Sequence, residues 1–351
     1  MYNANPWIAA LLALLLSACG TSPTGGESAQ TVALLPVWPG APAEPRIRFV
    51  RSISTARDLG IAPHFFRRLM NTITGKSDHY FVRPTGVAER DGVVYVADMG
   101  AQVLWILDPA NDSSVEVRKV GATTLVSPAA VAVRDDGAVY VADAWAKKVF
   151  LVDRHGKFLG VAAKTGLQRP AGLAYDRNNG RLYVADSAAH KIVAFAPDGR
   201  QILSWGRRGA GDGEFNYPTH LSIDPLGRVL VTDELNFRIQ AFDRDGKFLW
   251  KFGRHGDGSG DFSAPKGVAA DSGGHVYVVD ALFDSVQIFN PDGTLLLAFG
   301  AQGTGKGQFW LPGGIYIDDK DRIYVADAYN QRIQVFDFIG GVAPATANNR
   351  P

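Results

Sequence analysis

The feature that most constrains the fold of this 351-residue sequence is a short motif, Tyr-Val-Ala-Asp and its close variants, that recurs along the chain. The motif ends at six aspartates separated by 45, 43, 47, 47 and 47 residues: Asp98, Asp143, Asp186, Asp233, Asp280 and Asp327. A proline stands 14 to 16 residues before each of them, at Pro84, Pro128, Pro170, Pro218, Pro265 and Pro312. A repeat with this period indicates one structural unit that is copied six times.

Each unit contains four short runs that are typical of β-strands, separated by turn residues. In the fourth unit the runs cover residues 219–224, 228–232, 238–242 and 248–252, and Asp-Pro-Leu-Gly and Asp-Arg-Asp-Gly segments form two of the turns. The 39 glycines and 19 prolines of the chain also favour many strands joined by tight turns. These features predict an all-β fold, a six-bladed β-propeller of four-stranded antiparallel blades.

The two ends of the repeated region complement each other. The sixth unit stops after its third strand, near residue 338, and lacks a fourth. Residues 46–53 alternate like a strand and precede the first unit, so we expect them to pair with the last blade and close the ring. The propeller is therefore predicted to span residues 46–338, with a disordered tail over residues 339–351.

An insertion separates Ile53 from Pro84 and is longer than the corresponding connections of the other units. Within it, residues 62–75 have apolar residues at helical spacing, with Arg67 and Arg68 on the other side. This pattern predicts one short amphipathic helix. The helix either seals the closing seam of the propeller or docks a partner.

The repeated elements resemble those of the NHL-repeat family of six-bladed propellers. The resemblance covers residues 84–338 and is carried by Pro-x-Gly-Val-Ala, Tyr-Val-Ala-Asp and Asn-x-Arg-Ile elements, with the fullest copies at residues 233–239 and 327–333. Four units have another residue in place of the arginine: Val103, Lys148, Lys191 and Ser285. The resemblance implies the same propeller fold.

The N-terminus resembles the signal of bacterial lipoproteins. The nine apolar residues 8–16 are too few to span a bilayer, which needs about 20, and the last of them begins a Leu-Ser-Ala-Cys motif. We expect a signal peptide over residues 1–18, a lipid anchor on Cys19 and a flexible tether over residues 19–45. The protein is then exported and held on the outer membrane, facing the periplasm. An ordinary secretory signal is the alternative, because residues 1–7 contain no Lys or Arg.

The sequence predicts no catalytic residue, cofactor or metal. An aspartate present in every unit is explained by capping of the turn after the second strand and by pairing with the Arg or Lys five residues later. Gly-rich segments at residues 206–213, 253–260 and 300–307 recur with the repeat, so we interpret them as blade-to-blade linkers. The middle segment contains a candidate Ca²⁺ pair, Asp257 and Asp261.

An enzyme that works at the mouth of the propeller channel is the alternative function. The polar residues available there are Thr85, Thr219, His220 and Lys266. The segment around His220 resembles a channel segment of the peptide α-hydroxyglycine amidating lyase, and this resemblance implies a metal-dependent lyase or hydrolase in which three histidines hold zinc. The other five units have Gly or Ala at the matching position, and one histidine does not make a zinc site.

Residues after each repeated aspartate are predicted to share one face of the disc, because the first strand of a blade begins where the second ends. The apolar members of this set are Met99, Trp145, Leu235, Phe237, Leu282, Phe283 and Tyr329. Aromatic residues gathered on one face are typical of a protein interface. We therefore expect a monomeric, non-catalytic propeller that binds a protein or peptide of the cell envelope through this face.

The net charge of the chain and the opposite face of the disc indicate less about function. The 36 basic and 35 acidic residues nearly cancel, so we expect no nucleic-acid partner. The opposite face carries Asp-Gly and Asp-Pro turns, such as those at residues 90–92 and 318–321. These turns predict a face that is merely solvated.

Overall fold

The computed structural model describes residues 35–61, 80–163 and 166–340. These residues form six large antiparallel sheets, one for each repeat. The first strand of each sheet packs beside the first strand of the next, and the sixth returns to the first, so the sheets surround one axis. The predicted all-β, six-bladed propeller is confirmed.

The blades follow the chain, and their strands run from the axis outward. Blade 1 contains Pro84–Arg90, Val93–Asp98, Val103–Asp108 and Ser113–Val117. Blade 2 contains Pro128–Val133, Val139–Asp143, Lys148–Val152 and Phe158–Val161. Blade 3 contains Pro170–Asp176, Arg181–Asp186, Lys191–Phe195 and Gln201–Trp205. Blade 4 contains Pro218–Ile223, Val229–Asp233, Arg238–Phe242 and Phe248–Phe252. Blade 5 contains Pro265–Ala270, Val276–Asp280, Ser285–Phe289 and Leu295–Phe299.

Blade 6 is built from both ends of the described chain. Its inner strands are Ile315–Ile317, Arg322–Asp327 and Arg332–Phe338, and its fourth strand is Ile47–Ile53. The last two strands pair antiparallel, with Ile47 opposite Phe338 and Ile53 opposite Ile333. Closure of the ring by the N-terminal strand is confirmed.

A fifth strand, Val37–Trp38, pairs with Ile47–Ile53 at the outer edge of blade 6. The Trp38 ring packs against Phe299 and Phe336, with ring centroids 5.8 and 5.9 Å apart. Residues 35–45 had been assigned to the tether from the sequence. Part of that segment therefore belongs to the propeller surface.

Smaller elements complete the described residues. Lys119–Val120 and Thr123–Thr124 form a hairpin between blades 1 and 2. There are four short 3₁₀ helices, Ala56–Leu59, Pro109–Asn111, Ser187–Ala189 and Glu234–Asn236. Within residues 35–61, 80–163 and 166–340, no helix is long and apolar enough to cross a membrane. Cys19, the predicted insertion helix and residues 341–351 of the predicted tail lie outside the described residues.

The core is divided among the blade interfaces. Six clusters of buried apolar residues are present, and each joins two neighbouring blades. The second strands, such as Val93–Asp98, are buried along all or nearly all of their length because both of their sides face another blade. This arrangement explains why these strands are continuous runs of valine, alanine and tyrosine rather than alternating patterns.

The three Gly-rich segments are linkers between blades, as predicted. In each, a buried phenylalanine packs onto the glycine that begins the segment: Phe215 on Gly206, Phe262 on Gly253 and Phe309 on Gly300. A Cβ atom on Gly206 would lie 2.4 Å from the Phe215 ring, and the residue has a φ of +96°. Glycine is therefore required at this point for both steric and conformational reasons.

The disc has two faces, which we name for their contents. The aspartate face carries the starts of the first strands, the six repeated aspartates and the linkers between blades. The turn face carries the turns between first and second strands, at residues 90–93, 133–139, 176–181, 223–229, 270–276 and 317–322.

Candidate functional site

The repeated aspartates organise the backbone of the aspartate face. All six are fully buried. In blade 2, one oxygen of Asp143 accepts hydrogen bonds from the amides of Trp145 and Ala146, which caps the turn after the second strand. The other oxygen accepts from the amides of Val126 and Ser127, just before the first strand. The predicted turn cap is observed at Asp98, Asp143 and Asp280. Asp186 and Asp233 do not cap the turn in this way and instead accept from amides that precede the first strand.

Blade 6 adds a side-chain network to this pattern. Arg332 donates through Nε to Asp327 at 2.7 Å, as predicted for the residue five positions after the aspartate. The terminal nitrogens of Arg332 donate to carbonyl oxygens of the preceding linker, at Thr304, Gly305 and Gln308. Asn330 donates to the same carboxylate at 2.9 Å. These bonds hold the linker in one conformation and preorganise the face.

The candidate interface residues fall into two groups on the aspartate face. Trp145 is 74% exposed and Leu282 is 61% exposed, and Leu235 and Tyr329 are exposed as well. Met99, Phe237 and Phe283 are half-buried. The Phe237 ring packs edge-on against His255, with centroids 4.4 Å apart. The exposed group comes from blades 2, 4, 5 and 6, so the apolar surface is distributed around the channel.

Trp310 is a further exposed aromatic residue of this face that the sequence analysis missed. Its ring centroid lies 5.7 Å from that of Tyr329, and the Tyr329 amide donates to the Trp310 carbonyl. Trp310 precedes Pro312 by two residues, and its amide donates to Asp327 at 2.9 Å. The sequence does indicate the position of Trp310, because the segments that precede the repeated prolines lie on this face.

Charge is distributed unevenly on the aspartate face. Seven basic residues there form no ion pair with a described carboxylate: Arg83, Lys147, Lys148, Arg169, Lys191, Arg208 and Lys306. Several acidic groups are paired, as Asp212 is with Lys251 and Glu214 with Arg207. The buried Asp98, Asp143, Asp186 and Asp280 instead accept hydrogen bonds from backbone amides and form no ion pair among the described residues. Asp257 is exposed and belongs to none of the ion pairs of the described residues. The exposed unpaired charge of this face is therefore positive.

The four candidate channel-mouth residues do not form a catalytic constellation. The Thr85 hydroxyl donates to the carbonyls of Ala97 and Pro128 at 3.3 and 3.2 Å. The Lys266 ammonium binds Glu234 at 2.6 Å. Among the described residues, no hydrogen-bond partner reaches the buried Oγ1 of Thr219 or the buried Nδ1 of His220. No hydroxyl is therefore bonded to the imidazole as a nucleophile would be.

His220 lies at a close approach between the inner strands of blades 3 and 4. A Cβ atom on Gly172 would lie 2.3 Å from the Thr219 carbonyl oxygen and 2.9 Å from the His220 Cα. On the other side of the ring, Gly314 donates its amide to the Thr85 carbonyl. Burial, and secondarily the charge of Lys266, lowers the pKa of His220 to about 3. The imidazole is therefore neutral at physiological pH.

A cavity of about 500 Å³ opens from the axis toward the turn face, which the sequence analysis had expected to be merely solvated. Its walls come from the first strand of every blade. They include Val87, Val131, Leu173, Leu221, Ala269 and Ile315. Around its mouth stand the polar residues of the turns, among them Arg177, Asn178 and Asp319.

Arg177 spans this mouth between opposite blades. Its Nη1 donates to both carboxylate oxygens of Asp319, at 2.9 and 3.0 Å, although the two residues belong to blades 3 and 6. Arg90, at the end of the first strand of blade 1, donates to the same carboxylate at 3.1 Å. Asp135 of blade 2 lies 3.6 and 3.7 Å from the two guanidinium groups. Four blades thus contribute to one charged cluster over the cavity.

Metal coordination finds no support in the described part of the chain. No group of three or more His, Cys, Asp or Glu side chains converges there as a metal ion would require. Within the candidate pair, Asp261 accepts from Arg254 at 2.6 Å. The hydrogen bond from Arg254, opposed by some desolvation, lowers the pKa of Asp261. Asp261 is therefore part of the linker structure, like Glu214 in the preceding linker.

Geometry and sequence comparison agree on the class of this protein, a six-bladed β-propeller with antiparallel four-stranded blades. A family model described as NHL repeat matches residues 167–195 in blade 3 and residues 309–336 in blade 6. These two blades therefore match the NHL repeat in sequence.

Solved structures with this fold differ widely in sequence. A streptogramin B lyase is 14% identical, with a TM-score of 0.57 over 74% of this chain and 94% of that chain. A protein of unknown function from Bacteroides thetaiotaomicron is 17% identical, with a TM-score of 0.59 over 75% of this chain and 70% of its own. An auxiliary nutrient binding protein from the same organism is 14% identical, with a TM-score of 0.57 over 73% and 69%. These similarities concern the fold.

Proposed function

We propose that the protein is a lipid-anchored, extracytoplasmic binding module whose aspartate face holds an acidic, partly apolar segment of another envelope protein. The observation that carries this proposal is the exposure of Trp145, Leu235, Leu282, Trp310 and Tyr329 on one face of the disc. Large exposed apolar side chains are typical of interaction sites where they form patches, and here the rings of Trp310 and Tyr329 lie in contact. Tryptophan and tyrosine are also the residues that most often dominate binding energy.

The unpaired basic residues of the same face favour an acidic partner. Lys147 and Lys148 follow Trp145 by two and three residues in blade 2, and Lys306 lies in the linker before Trp310. Complementary charge across an interface raises the association rate and selects against other partners. The partner segment therefore combines Asp or Glu residues with one or two apolar anchors.

Preorganisation further supports a binding role. The buried aspartates, the Arg332 network of blade 6 and a like network around Arg238 in blade 4 already satisfy the backbone of the loops that carry the exposed side chains. Binding to such a surface costs little loop ordering, so more of the contact energy is retained as affinity. The presence of nutrient binding proteins among the solved structures of this fold is compatible with a binding module.

The lipid anchor is the part of the proposal that rests on the Leu-Ser-Ala-Cys motif alone. Cells that express the protein and are fed radiolabelled palmitate should label it, and the Cys19→Ala variant should lose the label and leave the membrane fraction. Labelling that persists in the variant would contradict an anchor at Cys19. Binding by the aspartate face does not depend on this outcome.

A photo-crosslinking amino acid placed at single positions tests the interface directly in living cells. Benzoylphenylalanine in place of Trp145 should yield a crosslinked protein whose contacted peptide is acidic. The matched control replaces Leu226, which is 73% exposed but lies on the turn face of blade 4. This control position should not yield the same product.

Substitutions that remove the anchors complete the test. The double variant Trp145→Ala and Leu282→Ala should weaken binding of the identified acidic peptide by about a hundredfold, because two exposed anchors are lost. Leu226→Ala should leave it unchanged. Crosslinks to lipid instead of protein at position 145, or equal products from both faces, would overturn the proposal.

A further inference from the structure

We propose that blade 5 carries a binding site for a guanidinium group on the aspartate face, at the position where blades 4 and 6 hold an arginine of their own. The site lies between the linker that precedes blade 5 and the start of its third strand. Its contacts are carbonyl and carboxylate oxygens, so it does not depend on the basic and apolar residues that hold the acidic segment in the function proposed above.

The linker before blade 5 has the same backbone conformation as the linkers before blades 4 and 6. The Gly256 amide donates to the Phe262 carbonyl at 3.2 Å, and the Phe262 amide donates to the Arg254 carbonyl at 2.9 Å. Both bonds recur 47 residues earlier and 47 residues later in the chain. Residues at the same place in the three linkers can therefore be compared directly.

A glutamine of the third strand fixes each linker to its own blade. In blade 5, Gln287 donates to the Asp261 carbonyl at 2.9 Å and accepts from the Gly260 amide at 3.1 Å. Gln240 in blade 4 and Gln334 in blade 6 make the equivalent pairs of bonds. The linker carbonyls are thus held in the same way relative to the third strand in all three blades.

Blades 4 and 6 place a guanidinium group among these carbonyls. Arg238 donates to three carbonyls of its linker at 2.6 to 2.9 Å and to the carboxylate of Asp233 at 2.8 Å. Arg332 donates to three equivalent carbonyls and to Asp327 at 2.7 to 2.9 Å. The same set of oxygens therefore binds a guanidinium group twice in this protein.

Blade 5 has the acceptors, but a serine stands in place of the arginine. Ser285 lies opposite Asp280 in the strand pairing, as Arg238 lies opposite Asp233. The carbonyls that correspond to those bound by Arg238 are those of Asp257, Gly258 and Asp261. Among the described residues, no side chain donates to the first two of them, and the third accepts from Gln287. A carbonyl oxygen accepts two hydrogen bonds, so all three can bind a guanidinium group from outside the chain.

Unpaired carboxylates gather at the same place. Asp280 is fully buried and Asp284 is 5% exposed, and neither forms an ion pair with a described basic residue. Asp257 is exposed and equally unpaired, while Arg254 is already paired with Asp261 at 2.6 Å. None of the seven unpaired basic residues of the aspartate face belongs to blade 5 or to the linker before it. The local charge therefore favours a cation.

The site is open to solvent and suits a guanidinium group better than an ammonium group. Asp257 and Gly258 are exposed and Ser285 is half-buried, whereas Arg238 is only 6% exposed in blade 4. A guanidinium group is planar and carries five N–H donors in a fixed fork, so it can reach several separate carbonyls at once. An ammonium group acts as a point charge and lacks this geometry.

Calorimetry with three related compounds tests this specificity. We would titrate the purified full-length protein with the amides of Nα-acetylarginine, Nα-acetylcitrulline and Nα-acetyllysine. The citrulline compound has the shape of arginine without its charge, and the lysine compound has the charge without the fork. The arginine compound should bind about tenfold more tightly than either.

Two further probes distinguish the sources of the guanidinium group. A blocked Gly-Arg-Gly peptide should bind more tightly than methylguanidinium if a protein segment supplies the group. Equal binding of the two probes would support a small guanidino compound as the natural ligand. The site itself is supported by either result.

A variant that fills the site from within separates ligand recognition from folding. Ser285→Arg should weaken binding of the arginine compound at least about tenfold, because the new side chain takes the same oxygens. It should also raise the thermal midpoint of the protein, a gain that a folding defect cannot produce. Lys191→Arg is the matched control, because Lys191 holds the equivalent position in blade 3, which none of the three Gly-rich linkers precedes. This control should leave binding unchanged.

Three outcomes would overturn the site. They are binding of the citrulline or lysine compound as tight as that of the arginine compound, undiminished binding to Ser285→Arg, and equal weakening by Ser285→Arg and Lys191→Arg. A fourth is binding of calcium chloride that Ser285→Arg abolishes while the arginine compound does not bind, which would indicate a metal site instead. Because crosslinking at Trp145 reports on blade 2, failure here leaves that test unaffected.

Discussion

Arg238 and Asp233 form a buried ion pair in blade 4, with Nε donating to Oδ2 at 2.8 Å. The terminal nitrogens of Arg238 donate to the carbonyls of Ala210, Gly211 and Glu214 in the preceding linker. One guanidinium therefore joins the second strand, the third strand and the linker between blades 3 and 4. The relationship repeats in blade 6 between Arg332 and Asp327.

Arg238→Ala should destabilise the protein by about 3–5 kcal/mol, because it leaves the Asp233 carboxylate buried without its cation. Arg238→Lys should recover less than half of this loss, since a lysine cannot donate to all four oxygens at once. Urea unfolding measures both effects. Arg208→Ala, an exposed change in the same linker, serves as the control and should stay within about 0.5 kcal/mol of the parent.

Phe49→Ala should show that the N-terminal strand holds the ring together. Phe49 is buried, and its ring packs edge-on against Phe336 at 5.8 Å in the closing pair of strands. The loss of a buried phenylalanine costs about 3–5 kcal/mol. Phe158→Ala, in the exposed outer strand of blade 2, should cost about 1 kcal/mol in the same unfolding experiment. Equal losses would mean that closure adds no particular stability.

The six-bladed ring was predictable because its period is set locally in the chain. In blades 1 to 5 the proline begins the first strand, and in all six blades the aspartate ends the second strand, so their spacing fixes the length of one hairpin. The closing strand followed from the missing fourth strand of the sixth unit. The strand Val37–Trp38 was not predictable, since two residues carry no alternation and its stability depends on the distant Phe299 and Phe336.

The candidate sites were predictable only in part. The exposed residues Trp145 and Leu282 follow repeated aspartates, so the repeat places them on one face. No sequence pattern predicts the pair of Arg177 and Asp319, because the two residues are 142 positions apart. Each also lies in a charged turn, which is typical of a solvent-exposed segment. Only closure of the ring brings the turns of opposite blades together over the axis.

Gly172→Ala should disturb the contact between the inner strands of blades 3 and 4. The added Cβ atom would lie 2.3 Å from the Thr219 carbonyl oxygen, which is a backbone atom that cannot rotate away. Overpacking of this kind costs about 1–3 kcal/mol. Gly166→Ala is the control, because no atom lies within 4 Å of its added Cβ. A Gly172→Ala protein with the thermal midpoint of the parent would contradict the close approach.

His220 should make the protein less stable in acid. Its pKa is about 3 in the folded state and 6.5 when unperturbed, so between these values the unfolded chain binds a proton that the folded chain does not. The free energy of unfolding should therefore fall below pH 6.5, by up to about 1.4 kcal/mol for each pH unit from this group. In urea unfolding at pH 7, 6, 5 and 4, His220→Gln should lose less stability than the parent as the pH falls.

His275 provides a control, because its pKa is shifted in the opposite direction. A hydrogen bond to Asp271 at 2.9 Å, partly offset by burial, raises the pKa of His275 above 6.5. Its contribution to stability is therefore complete below pH 6.5 and is lost as the pH rises through the folded-state value. His275→Gln should change the alkaline side of the profile and leave the slope between pH 4 and 6 intact. If His275→Gln flattens the acid slope as His220→Gln does, the slope does not come from the neutral imidazole in the channel.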